Sequence, residues 1–155
     1  MIGPEGYLCD ISRTFLCGDR ATAAQREAYA VAHDFIAGTF ELCTPGRSLR
    51  DLCLKSPNYP DAYKAQSYSC MIHGIGMDDE PPFLPYPHSI QAVGESVIPD
   101  YGLQPNMVLS IEFYAGKVGE YDGVKLEEQV LITESGPVWL SRYPHEESLL
   151  PPANF

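Results

Sequence analysis

No apolar stretch in this 155-residue chain approaches the ~20 residues that cross a bilayer. No charged, then apolar, then small-residue leader opens it, which argues against secretion. Basic residues are scarce: 10 Lys and Arg stand against 21 Asp and Glu, a formal net charge of −11. Nucleic-acid backbones and anionic membrane surfaces both call for positive charge, so neither is expected as a partner. Cysteine is present without pairing signals. The five, at 9, 17, 43, 53 and 70, include no CxxC and cannot all pair. They read as reduced, mostly buried thiols of a cytoplasmic protein. Internal repeats and low-complexity linkers are also missing.

What remains is an ordinary globular composition, 45% hydrophobic and 20% charged, of a size that buries a real core in one domain. Residues 6–16 alternate and predict a strand, followed by a turn at Gly18-Asp19-Arg20. A helix is expected from about Thr22 to Leu42. Thr22 and Gln25 form a capping-box pattern, and Ala28, Val31, Ala32, Phe35, Ile36 and Thr39 recur at helical spacing. Thr44-Pro45-Gly46 stops it. Ser48 to about Leu54 reads as a second short helix with Ser48 as N-cap. Residues 67–73 predict a strand leading into a glycine turn at 74–76. The segment 81–88 is too proline-rich for a helix or a central strand and predicts a stiff loop. Strands follow at about 107–115, 123–133 and 137–141. The order suggests an α+β packing of helices on antiparallel strands.

Four metal-type side chains stand out: Asp10, His73, Glu112 and Glu127. Alternation supports two of them independently. In 107–115, Leu109, Ile111 and Phe113 point one way, and Ser110, Glu112 and Tyr114 the other. In 123–133, Val124, Leu126, Val130 and Ile132 form an apolar side interrupted by Glu128, while Lys125, Glu127 and Gln129 form the polar side. If these strands pair, Glu112 and Glu127 share a surface. Carboxylate oxygens plus an imidazole suit Mn, Fe(II), Co or Zn rather than a thiolate-type site. Taken singly, each residue has a plainer reading: a solvated strand carboxylate, a turn histidine, a cap.

The flanks decide between these readings. Cys-Asp-Ile-Ser-Arg (9–13), His-Gly-Ile-Gly-Met (73–77), Val-Leu-Ser-Ile-Glu-Phe-Tyr (108–114) and Gly-Val-Lys-Leu-Glu-Glu-Gln (123–129) each resemble one ligand motif of the pita-bread metalloenzymes, the creatinase, aminopeptidase P and methionine aminopeptidase family. That resemblance implies a pita-bread catalytic domain, two divalent metal ions (Fe, Mn, Zn or Co), a small-molecule or dipeptide substrate and a homodimer. It also implies Asp10, His73, Glu112 and Glu127 as metal ligands, in the family order Asp, Asp, His, Glu, Glu. The first family Asp would fall before the first residue here. Residues 1–155 are therefore expected to be the C-terminal part of one catalytic domain, without its N-terminal domain and first ligand strand. Two further departures are visible. The second histidine that peptidases of the family carry after the glycine turn is missing, with Met-Asp-Asp-Glu-Pro-Pro (77–82) in its place. Pro-Gly-Met has become Pro105-Asn106-Met107, a mild change because Asn tolerates a positive φ.

Lys-Ala-Gln-Ser-Tyr-Ser-Cys-Met-Ile-His-Gly-Ile-Gly-Met-Asp-Asp-Glu-Pro (64–81), Val-Lys-Leu-Glu-Glu-Gln-Val-Leu-Ile-Thr-Glu (124–134) and Arg-Tyr-Pro (142–144) are most similar to the dimethylsulfoniopropionate lyase branch. By that resemblance Asp79 is the catalytic base and Tyr68 lines the substrate pocket. The implied reaction is a β-elimination giving dimethyl sulfide and acrylate. Two alternatives stay open from the residues: an Xaa-Pro peptidase or related dimetal amidohydrolase, and a catalytically inactive binding module. His33 and His145 have no evident partners and read as surface or helix residues.

Overall fold

The computed structural model describes residues 1–150. Helix α1 (Ala23–Phe40) begins where expected, because Thr22 and Gln25 form the reciprocal capping box and thereby satisfy two backbone N–H groups that a helix start leaves free. Its buried stripe is Ala28, Tyr29, Ala32, Phe35, Ile36 and Thr39. Helix α2 (Leu49–Lys55) starts at Ser48, whose hydroxyl accepts from the Asp51 N–H.

One five-stranded antiparallel sheet carries the rest: β1 (Ile72–Ile75), β2 (Asp79–Leu84), β3 (Val108–Gly116), β4 (Gly123–Thr133) and β5 (Gly136–Trp139), in the order β2-β1-β3-β4-β5. The apolar face predicted for β3 and β4 is the core face. Leu109, Ile111, Phe113, Val124, Leu126, Val130 and Ile132 are all buried and α1 packs across both strands. Phe35 of α1 packs its ring, tilted, 4.5 Å from that of Phe113. A buried aromatic of this kind contributes about 1.5–3 kcal/mol.

Three expected elements are corrected. Residues 6–16 form no strand: Leu8 bridges back to Ile2, and a single bridge, Ser12 to Glu127, joins the segment to β4. Two residues on, the Thr14 hydroxyl takes over: it donates to the Lys125 carbonyl and accepts from the Lys125 N–H. A side chain thus replaces the backbone ladder, so no strand propagates. The strand predicted over 67–73 begins only at Ile72 and runs on to Ile75, into the predicted glycine turn. The loop predicted over 81–88 is, as far as Leu84, an edge strand. An edge strand bonds on one side only, which is where proline is tolerated. The ladder slips between His73 and Gly74, opposite the cis Pro81–Pro82 bond.

Two backbone positions explain their residues. A Cβ on Gly74 would lie 2.5 Å from the Pro81 carbonyl oxygen and 2.8 Å from that of Glu80, so β1 and β2 approach this closely only because position 74 has no side chain. Asn106 adopts φ +76°, as its tolerance for the left-handed region predicts. All five cysteines are free, and the expectation of mostly buried thiols is corrected: Cys43 and Cys53 are buried, Cys9 and Cys70 half-buried, and Cys17 exposed.

Candidate metal centre

Glu112 of β3 and Glu127 of β4 are direct cross-strand partners. Their main-chain groups point away from each other. Glu112 N–H donates to the Met71 carbonyl, and Glu127 exchanges both its backbone bonds with Ser12. The pair is therefore of the non-hydrogen-bonded type, in which Cα atoms lie ~4.5 Å apart and the side chains stand closest. On the next strand His73 pairs with Ser110, two residues before Glu112 on the same face. Its Nε2 lies 3.5 Å from Glu127 Oε1 and 3.9 Å from Asp10 Oδ2. Asp79 opens β2 across the hairpin.

The predicted residues thus converge in two overlapping groups that share His73: Asp10, His73 and Asp79, and His73, Glu112 and Glu127. Within each group the potential ligand atoms lie within 4.8 Å of one another. Neither group contains a cysteine. The carboxylate-rich donor set fits a hard or borderline divalent cation. A further sign of fit is Lys125, two residues before Glu127 on the same face. Its ammonium pairs closely with Glu112 and sits 3.4 Å from Glu127 Oε2, so the two carboxylates already hold a positive charge between them.

The electrostatics follow from this crowding. Burial alone would depress the His73 pKa, yet the hydrogen bonds to Glu127 and to the Gly74 carbonyl, with the charges of Glu112 and Glu127, carry it up to about 9. Burial works against ionised Glu127 too, but His73, Lys125, Ser110 and Ser12 outweigh it and hold its carboxyl well below the usual range. Asp10 is pushed up by burial and by the neighbouring Glu127. Glu112 is pushed up by burial despite its Lys125 partner. A positive ion placed here would relieve the repulsion among three carboxylates.

Several contributors were not singled out from sequence. Ser110 Oγ donates to Glu127 Oε1 at 2.9 Å and Ser12 Oγ to Oε2 at 3.0 Å, orienting that carboxylate from both sides. Their signal was available: Ser110 lies on the polar face already drawn for β3. Tyr68 is on an irregular segment before β1. Its ring stacks on Tyr114 at 5.5 Å and lies 4.5 Å below the Lys125 ammonium, at the rim of the site. His88 is elsewhere, hydrogen-bonded to Ser67 at 3.0 Å and packed between Tyr59 and Tyr86.

The apolar face of β4 hides a second polar group. Glu128 is buried and pairs with Arg13, with the Ser141 hydroxyl and with His145 Nε2 at 3.2 Å. Arg13 also donates to the carbonyls of Ser12 and Glu127, both at 3.0 Å, and of Tyr143 at 2.9 Å. It thereby ties the segment bearing Asp10 to the strand bearing Glu127. His145, expected on the surface, is part of this cluster, with the His33 ring 5.1 Å away.

The profile of metallopeptidase family M24 matches residues 2–134. Over 152 residues the chain is 41% identical to the dimethylsulfoniopropionate lyase DddP of Roseovarius nubinhibens, covering 97% of this chain and 33% of that protein. It is 29% identical to Xaa-Pro aminopeptidase 3 of Rattus norvegicus, over 87% of this chain and 30% of the relative. The chain thus spans about a third of the length of these relatives. Among solved structures, the Xaa-Pro dipeptidase from Bacillus anthracis superposes with a TM-score of 0.73 at 23% identity, covering 91% of this chain and 37% of that one. The architecture is that of the pita-bread fold, and the chain belongs to metallopeptidase family M24.

Proposed function

We propose that residues 1–155 are part of one metal-binding catalytic domain in which Asp10, His73, Glu112 and Glu127 hold two divalent ions, and that the reaction is a lyase-type β-elimination on a small carboxylate substrate. The observation that carries the metal reading is the Glu112–Glu127 non-hydrogen-bonded pair with His73 3.5 Å away. The observation that favours a lyase is Asp79, placed with Asp10 and His73 where a peptidase of this family would be expected to bring a second histidine. The 41% identity to a dimethylsulfoniopropionate lyase points the same way.

When bound, the ions would supply Lewis acidity that makes the C–H beside the substrate carboxylate more acidic. Asp79 then removes that proton as general base. The released electron pair forms the C=C bond, the C–S bond breaks, and dimethyl sulfide leaves acrylate behind. Tyr68 offers a ring face to the sulfonium end, a cation–π contact of ~0.5–2 kcal/mol. That this face accepts positive charge is supported by the Lys125 ammonium above it, which the sulfonium would have to displace. A cytoplasmic homodimer completes the proposal, with light scattering as the check on its assembly.

Protein loaded with Mn or Fe(II) and given dimethylsulfoniopropionate should release dimethyl sulfide. Asp79→Ala should lose that release while still binding metal. Cleavage of a proline dipeptide dependent on His73, with no dimethyl sulfide, would replace the lyase by the peptidase reading.

A further inference from the structure

The pairing of β3 with β1 stops one residue short of Glu112. The last register pair is Ile72 with Ile111, and Met71 accepts the Glu112 N–H. Beyond that point no strand residue, among the described residues, donates to the Glu112 carbonyl. The donor is instead the Tyr86 hydroxyl, at 2.7 Å. Tyr86 is fully buried, and its ring is wedged among Phe35, Tyr59, His88 and Phe113. Burial raises the pKa of its phenol, so the group stays a donor. Two residues along β3, Tyr59 does the same for the Tyr114 carbonyl. A pair of tyrosines therefore stands in for the strand that β1 does not extend.

We infer that Tyr86 is a positioning residue for Glu112: its hydroxyl fixes the main chain of that residue, and so sets the carboxylate against Glu127 across the sheet. The inference rests on the metal-site reading above. It assigns a different role to each tyrosine. Tyr86 acts at the carbonyl of a ligand residue. Tyr59 acts at the carbonyl of Tyr114, which is not one. Groups that orient metal ligands from outside the site typically change metal affinity by about 10–100-fold.

The test compares Tyr86→Phe with Tyr59→Phe. Each variant removes one hydroxyl and keeps the ring packing. Mn(II) affinity is read by the loss of the free-ion electron paramagnetic resonance signal, and metal-free stability by urea midpoint. Both variants should lose stability alike. Tyr86→Phe should weaken Mn(II) binding about tenfold or more, and Tyr59→Phe should leave it within about twofold. Equal affinities in the two variants, with the wild type binding Mn(II), would overturn the positioning role and leave the metal site standing. A wild type that binds no Mn(II) would overturn the metal site and the positioning role together. Should Tyr86→Phe be unfolded, the comparison is made in trimethylamine N-oxide, which favours the compact state by its exclusion from protein surface.

Discussion

Glu128→Leu should be among the most damaging single changes in this chain, although Glu128 is not a proposed ligand. The side chains of Arg13 and Glu128 retain 5% and 7% of their exposure. Removing the carboxylate leaves a guanidinium in the interior with only carbonyls as partners, a loss of about 3–5 kcal/mol. A domain of this size is stable by about 5–15 kcal/mol, so the variant forfeits a third or more of a typical value. Arg13→Met should cost a similar amount, because Glu128 keeps only Ser141 and His145. The double variant removes both charges. Its cost should be about 1–3 kcal/mol, from the carbonyls of Ser12, Glu127 and Tyr143 that lose their donor. The singles together would then exceed the double by at least about 3 kcal/mol, at or above the top of the range for directly interacting residues. Urea unfolding with EDTA present keeps metal binding out of the comparison. With a slope of about 2 kcal/mol/M, each single should lower the midpoint by about 2 M. Additive singles, or a midpoint shift under about 0.5 M, would refute the idea that a buried ion pair clamps the Asp10 segment to β4.

Gly74→Ala should lower stability by about 1–3 kcal/mol, because its Cβ would meet backbone oxygens at 2.5 and 2.8 Å. It should also weaken Mn binding, since β1 carries the proposed ligand His73; calorimetry of metal binding checks this, and unchanged affinity would count against it. The pH dependence of the metal-free chain follows from His73. Its folded-state pKa, about 9, lies above the ordinary 6.5. The stability it contributes is therefore complete below about pH 6.5 and is lost as the pH rises through about 9. The urea midpoint in EDTA should fall across that window, and His73→Asn should flatten the fall. An equal slope in the variant would show that other groups dominate.

Legibility in the sequence followed the range of the interactions. Strands β3 and β4 were readable because nine and eleven residues of alternation separate a core face from a polar face. Alternation alone puts each strand's carboxylate on its polar face, so pairing the strands is enough to bring Glu112 and Glu127 to one surface. The capping box of α1 was equally local. What escaped was set by contacts across the chain. Glu128 reads as a flaw in an apolar stripe until Arg13, 115 residues away, is placed beside it. The 6–16 segment alternates like a strand, but a threonine side chain ends its ladder. Proline in 81–84 excludes a central strand and not an edge one, and only the sheet order tells which applies. Lys125 was assigned to the correct face, but its salt bridge to Glu112 depends on the register between β3 and β4.

The central claim is that Asp10, His73, Glu112 and Glu127 form a metal centre. Metal content after Mn or Fe(II) loading and gel filtration tests it most directly, with His73→Ala alongside, since both ligand groups share that residue. About two ions per chain are expected, as in two-metal sites generally, and their loss in the variant. A folded wild-type chain that elutes without metal, or a His73→Ala variant that retains it in full, would contradict the claim.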